Sequence, residues 1–135
     1  MEERKFTAAS YARTDEADGQ RSWDDIDRQR GICKSSAARL GIHLVASFFD
    51  IGERGDRTNR PGVVQLMAHA ATRPMDFVVI SSIDRLADRS EQLAYLLHRL
   101  RCLGVKALIA DHDAVIELVL PSDLEVRRGD DDEQS

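Results

Sequence analysis

The segment Phe77-Val-Val-Ile-Ser-Ser-Ile-Asp-Arg-Leu-Ala-Asp-Arg89 lies near the middle of the chain and decides its fold. Its first four residues are apolar and mostly β-branched, which predicts a short strand buried on both faces. Asp84 and Arg85 follow where that strand should end. Charges just past the carboxyl end of a buried parallel strand lie at the usual ligand edge of an open α/β sheet. The alternative for an Asp-Arg pair is a structural ion pair, or a cap for the helix predicted to begin near Ser90.

Strand and helix patterns alternate on both sides of this segment. Apolar runs predict strands at 6–12, 42–49, 77–80, 105–110 and 115–120, and helical spacing predicts helices at 25–40, 60–70 and 90–103. The acid-rich stretch 15–27 is predicted to be a mobile polar loop, and 115–120 could instead be a helical turn. The alternation indicates an α/β fold with an open, mostly parallel sheet of four to five strands in the order 2-1-3-4 and helices on both faces.

Composition excludes several classes of protein. A net charge of -5 argues against a free-standing nucleic-acid binder, and no apolar run is long enough for a membrane span or signal core, so a cytoplasmic protein is expected. Neither GxGxxG nor GxxxxGK[ST] occurs, so no nucleotide cofactor is predicted. Cys33 and Cys102 lack metal-ligand spacing and are predicted to be buried thiols, with no metal site.

Four short motifs occur in order along residues 5–111. They are Tyr11-Ala12-Arg13, Ile26-Asp27-Arg28-Gln29, Asn59-Arg60-Pro61-Gly62 and Ile83-Asp84-Arg85-Leu86. Together they resemble the catalytic domain of the serine site-specific recombinases, the family of resolvases, invertases and large serine integrases. The resembling signatures are Tyr-x-Arg-Val-Ser, Leu-Asp-x-Gln, Asp-Arg-Pro-Gly and Leu-Asp-Arg-Leu. The resemblance implies a resolvase-like fold over residues 6–124, and composition predicts a charged lead-in at 1–5 and an acidic, disordered tail at 125–135.

The resemblance also implies a chemistry. These recombinases attack a DNA phosphodiester with a serine hydroxyl and use no metal, so arginines must neutralise the charge that develops on the phosphate. By resemblance, Arg13, Arg60 and Arg85 would face the phosphate. Gln29 would position a group, and Asp84 would orient an arginine or handle the leaving-group proton.

Two departures from the family pattern bear on that chemistry. The slot of the nucleophilic serine holds Asp15, whose carboxylate would repel a phosphate, and Asp88 stands where the family has an arginine. Arg54 also stands where the family commonly has serine. Relatives continue into a long helix and a DNA-binding domain, and from this sequence we expect the acidic tail in their place. The sequence therefore predicts a recombinase-fold protein that does not recombine DNA and acts as a protein-interaction or regulatory module.

Two alternatives stay open at this stage. One is an active recombinase domain that cleaves DNA through a displaced serine, for which Ser22 is a candidate. The other is a flavodoxin-like regulator in which Asp15, Asp84 and Asp88 hold Mg²⁺. For the leading interpretation we expect a protein partner or self-association, DNA contact that is weak or made only through a partner, and no membrane.

Overall fold

The computed structural model describes residues 5–55 and 57–116. Its strands are β1 (Thr7–Thr14), β2 (His43–Ile51), β3 (Phe77–Ile80), β4 (Lys106–Ile109) and β5 (Ala114–Ile116), and its helices are α1 (Gly19–Leu40), α2 (Pro61–Thr72), α3 (Ile83–Leu86) and α4 (Ser90–Cys102). The sheet order is β2-β1-β3-β4-β5, with the first four strands parallel and β5 antiparallel at the edge. The predicted fold class and strand order are confirmed.

The central strand β3 spans the four residues that its apolar run predicts, and it pairs with β1 on one side and β4 on the other. Strand β1 is longer than predicted and ends at Thr14, so Arg13 lies within the strand instead of after it. The segment predicted as a fifth strand or helical turn begins as strand β5, while its residues 117–120 and the predicted tail 125–135 lie outside the described residues.

The predicted polar loop 15–27 is wrong for most of its length, because α1 begins at Gly19. Polar spacing explains the longer helix: Gln20 donates to Asp24 across one turn, and Arg21 pairs with Asp18 at the helix start. The inward side of the same turns buries Ser22, three residues before the predicted helix start at 25. Because the buried residue is a polar serine, the apolar repeat does not extend to these turns. The helix ends as predicted at Gly41, whose φ of 70° is left-handed.

Two apolar layers cover the two faces of the sheet. The larger layer packs α2 and α4 against β1, β3 and β4, and the smaller layer lies under α1. The largest fully buried apolar side chains include Tyr11, Ile26, Leu66, Ile80, Leu86, Leu96, Leu100 and Leu108. Cys33 is buried under α1 as predicted, but Cys102 is exposed, because it ends α4 on the solvent side of the helix. No helix within the described ranges is long and apolar enough to cross a bilayer.

Two close approaches bring the loops at the carboxyl edge of the sheet together. A Cβ added at Gly62, in the first turn of α2, would lie 2.6 Å from Asp50 Oδ2 and closer still to the carbonyl oxygen of Phe49. A Cβ added at Gly55 would lie 2.6 Å from Arg13 Nη2 and closer still to Asp88 Oδ1. Glycine therefore lets α2 begin against the end of β2, and lets the loop between them touch the end of β1.

Candidate active site

The residues that the motifs single out converge at the carboxyl edge of the sheet. They come from the end of β1, from α1, from the loop between β2 and α2, and from the α3 segment that follows β3. The short helix α3 was not predicted; it turns the chain directly after β3 and presents two of its carbonyl groups to β1. The edge position predicted for Asp84 and Arg85 follows from this turn.

Arg13 is the centre of this edge. The residue is 2% exposed, and its guanidinium donates to three backbone carbonyls: Nε to Arg85 (3.1 Å), Nη1 to Glu53 (3.0 Å) and Nη2 to Asp84 (2.6 Å). Its two remaining N–H donors bind the carboxylates of Asp15 and Asp88. All five donors of the guanidinium are therefore used within the protein.

Asp15 and Asp88 lie on the solvent side of that arginine. The side chain of Arg13 is 3% exposed, against 59% for Asp15 and 43% for Asp88. The Asp88 carboxylate accepts from Nη2 at 3.2 Å, and its backbone N–H donates to the Gly55 carbonyl at 3.1 Å. Asp15 and Asp88 are thus the direct ion-pair partners of the buried cation.

Gln29 holds the same residue from the backbone side. Its side-chain amide, 2% exposed, accepts from the N–H of Arg13 and donates to the carbonyl of Arg13, both at 3.0 Å. It also donates to Asp25 at 3.1 Å. Gln29 therefore fixes the backbone of Arg13 at the end of β1, while its positioning role in chemistry stays a prediction.

Arg60 lies deeper, at the start of α2, and is fully buried. Its guanidinium carbon lies 5.5 Å from the centre of the Tyr11 ring, and Nη2 donates to the carbonyl of Leu86. Among the residues that the structure describes, Nε and Nη1 of Arg60 have no hydrogen-bond partner. Burial lowers the pKa of this guanidinium from its ordinary value. Such a site holds unsatisfied positive charge, which favours an anion or ordered water nearby.

The neighbour of Arg60 is a buried Tyr-Asp pair that sequence reasoning missed. The Tyr11 hydroxyl donates to Asp50 Oδ2 at 2.7 Å, and Asp50 Oδ1 accepts from the N–H of Gly62 at 2.7 Å. Burial raises the pKa of Tyr11 well above its ordinary value, so the phenol stays protonated and donates. Asp50 follows the predicted strand 42–49 directly, and its burial becomes visible only in the folded chain, where β2 extends to Ile51.

Arg85 is the arginine of the set that reaches an open cavity. Its side chain is 28% exposed, donates to the Arg13 carbonyl at 3.2 Å and lies 3.7 Å from Asp25 Oδ2. The cavity has a volume of about 510 Å³ and is lined by five acids, three arginines and two hydroxyl residues: Thr14, Asp15, Glu16, Asp18, Arg21, Ser22, Asp24, Asp25, Arg28 and Arg85. Its acidic excess is a poor match for a phosphate backbone.

The hydroxyl groups around Asp15 are already hydrogen-bonded. Ser22 is 5% exposed; its Oγ donates to the Glu16 carbonyl at 2.6 Å and accepts from Asp18 N–H at 2.7 Å. Thr14 donates to the same carbonyl at 3.1 Å. Ser82, which sequence reasoning did not consider, is partly exposed and donates to the Asp84 carboxylate. Of these hydroxyls, Ser82 has both a carboxylate partner and access to solvent.

The three acids proposed as a Mg²⁺ site do not converge on one point. Asp15 and Asp88 each bind Arg13, while the Asp84 carboxylate accepts from Ser82. In the described part of the chain, no three His, Cys, Asp or Glu side chains form a group that could hold a metal ion. A buried guanidinium between two of the acids opposes a divalent cation by charge repulsion.

The family model and the solved structures point to one family. The family model described as "Resolvase, N terminal domain" matches residues 8–123. Among solved structures, the chain is similar to the C-terminal catalytic domain of ISC1926 TnpA, an IS607-like serine recombinase, at 28% identity and a TM-score of 0.68, covering 78% of this chain and 70% of that one. Comparison with curated protein sequences finds no significant match.

Two further structures are similar in fold. The N-terminal catalytic domain of TP901-1 integrase has 15% identity and a TM-score of 0.73, covering 96% of this chain and 99% of that one. A resolvase family site-specific recombinase from Streptococcus pneumoniae has 16% identity and a TM-score of 0.72, covering 96% and 89%. Because the family model matches most of the length of this chain and the solved structures share its fold, the chain belongs to the resolvase N-terminal domain family and is a homologue of serine-recombinase catalytic domains.

Proposed function

We propose that this domain does not cleave and rejoin DNA and that it acts as a protein-interaction or regulatory module with the recombinase fold. The observation that carries the proposal is the carboxylate of Asp15. By the resemblance of Tyr11-Ala12-Arg13 to the family signature it stands in the place of the nucleophilic hydroxyl, and it is bound to the buried guanidinium of Arg13. A carboxylate there repels the phosphodiester, and an acyl phosphate formed from it would be prone to hydrolysis, so religation would be lost.

The surrounding charges support the same proposal. The five donors of Arg13 are occupied, Arg60 is enclosed, and Arg85 opens into a cavity with more acids than arginines. Catalytic groups that act as a unit lose nearly all of their rate when one member is removed. We therefore expect duplex DNA affinity in or below the non-specific range, about 10⁻⁴–10⁻⁶ M at physiological salt, measured by gel shift.

A covalent-adduct assay tests the loss of chemistry. The domain is fused to the long helix and DNA-binding domain of an active relative, mixed with that relative's duplex site, and resolved under denaturing conditions. The fusion with the unchanged domain, called the parental chimaera, is expected to form no covalent protein–DNA adduct. The relative's own catalytic domain is the positive control. An adduct from the parental chimaera, mapped by mass spectrometry to any residue, would overturn the proposal.

One observation favours the alternative of a displaced nucleophile, and it concerns Ser82 instead of the enclosed Ser22. The Ser82 hydroxyl already donates to Asp84, and a carboxylate partner is what a serine needs to lose its proton. Under this alternative, the adduct of the parental chimaera would map to Ser82 and would disappear in Ser82→Ala. Under the leading proposal, Ser82→Ala and the parent are equally inert.

An exposed aromatic pair supports the protein-interaction half of the proposal. Trp23 on α1 is 44% exposed, Phe49 on β2 is 37% exposed, and their rings meet edge to face at 5.3 Å. Aromatic side chains that keep this much surface in water are enriched at interfaces. We expect Trp23→Ala to weaken self-association or partner binding at least about tenfold in sedimentation velocity, since interface aromatics often contribute more than about 1.4 kcal/mol. Tyr95→Ala, which removes a similarly exposed ring from α4, is the matched control.

A further inference from the structure

The ion pairs around Arg13 divide into an inner and an outer set. Three backbone carbonyls, from Glu53, Asp84 and Arg85, bind the guanidinium from the protein side. The outer set consists of the carboxylates of Asp15 and Asp88, which are 59% and 43% exposed. The carbonyls carry no formal charge, so the two acids are the counter-charge of this buried cation.

The outer set has the properties of a bound oxyanion. Two carboxylates carry a combined charge of −2, which is the charge of one sulfate or hydrogen phosphate ion. They accept from Nη1 and Nη2, the two terminal nitrogens through which a guanidinium binds a tetrahedral oxyanion in a bidentate manner. They also separate Arg13 from solvent, so the place they fill is open on one side.

We propose that Asp15 and Asp88 act as an internal dianion that keeps Arg13 occupied, and that their removal exposes a binding site for a tetrahedral oxyanion. The inference deepens the proposed function and rests on it, because a domain released from DNA chemistry must still neutralise the buried arginine that this chemistry used. The internal dianion makes the folded domain independent of any phosphate ligand. It also links the end of β1 to the Gly55 loop and the α3 segment.

The test uses the whole chain and sulfate as the probe. The double variant Asp15→Ala/Asp88→Ala is compared with the parent by thermal denaturation in sulfate and in chloride at equal ionic strength. We expect the double variant to gain about 5 °C or more in about 10 mM sulfate, since a ligand bound only by the folded state raises its midpoint. The parent is expected to gain less than about 1 °C, because so little sulfate has a weak general effect.

The matched control removes two exposed acids elsewhere. Asp27→Ala/Glu91→Ala changes the net charge by the same amount on α1 and α4, so a sulfate response of equal size there would reduce the effect to general electrostatics and overturn the proposal. If the double variant is unfolded in chloride, recovery of its near-ultraviolet circular dichroism in sulfate supports the proposal. If it is unfolded in both salts, Asp88→Ala alone must show the sulfate-specific rise, and a sulfate-insensitive single variant overturns it.

This outcome is separable from that of the adduct assay, because sulfate binding needs neither DNA nor a nucleophile. A parental chimaera that forms an adduct would refute the proposed function, whatever the response to sulfate. A parent that binds sulfate as tightly as the double variant would refute the internal dianion alone, because Arg13 would then be accessible with both carboxylates in place.

Discussion

Alanine at Gly55 is the sharpest test of the packing around Arg13. The added Cβ would lie 2.6 Å from Arg13 Nη2 and closer still to Asp88 Oδ1, well inside normal contact distances. The ion pair must therefore separate or the loop must move, and overpacking of this kind costs about 1–3 kcal/mol. Weakening the pair adds to the cost, although Asp88 is 43% exposed and solvent takes up part of it. The lower entropy of the unfolded alanine chain returns about 0.4–1 kcal/mol.

The expected net loss is about 2 kcal/mol in the free energy of unfolding, or about 8 °C in the midpoint for a domain of this size. Urea denaturation followed by circular dichroism measures it, and Gly31→Ala is the control. Gly31 lies inside α1 with no atom near its Cβ position, so alanine there should stabilise by about 0.5–1 kcal/mol. In a double-mutant cycle, Asp88→Ala should relieve much of the clash. A Gly55→Ala variant within about 0.5 kcal/mol of the parent would refute the reasoning.

Three further predictions concern other buried or paired groups. Tyr11→Phe removes the buried hydrogen bond to Asp50 and should destabilise the domain by about 1–3 kcal/mol in urea, whereas an effect near zero would mean that water replaces the hydroxyl. The hydrogen bond from Arg39 lowers the pKa of Asp113 to about 2. The stabilising contribution of Asp113 is therefore present above about pH 4 and lost as the pH falls toward 2, and Asp113→Asn should flatten that part of the stability-versus-pH curve. Iodoacetamide should modify Cys102 and spare Cys33 in the native protein, since burial raises the pKa of Cys33 to about 12; mass spectrometry of the labelled peptides decides.

Local patterns predicted those elements whose signals are contained within a few residues. The apolar run of β3, the glycine after α1 and the proline that opens α2 each act on their own neighbourhood, and each lies where it was expected. The start of α1 was missed, because its first turns bury Ser22 and expose acids, so no apolar repeat marks them. The exposed position of Cys102 depends on which side of α4 meets the sheet, and a single residue at a helix end does not reveal it.

The arrangement of the site needed the folded chain. Resemblance to the family identified which residues meet at the sheet edge, and the unusual acids at positions 15 and 88 were visible in the sequence. Their role was not, since Asp88 lies 75 residues from Arg13 and pairs with it only because β1 and β3 are neighbours. The roles of Asp50 and Gly55 were also missed. Both lie in a segment rich in charges and glycine, and such a composition does not distinguish an exposed loop from a buried network.

The position of β1 in the sheet has a consequence for synthesis on the ribosome. This strand is made first, yet it lies between β2 and β3, and Asp88 is synthesised 75 residues after Arg13. At about 5–20 residues per second, the delay is about 4–15 s. Until β3 has been made, β1 lacks a partner on at least one edge, and until Asp88 follows, the cation has only Asp15 of its two outer partners. Nascent chains that stop before α3 should therefore be sensitive to protease, and the domain should complete its folding only after β4 has left the exit tunnel.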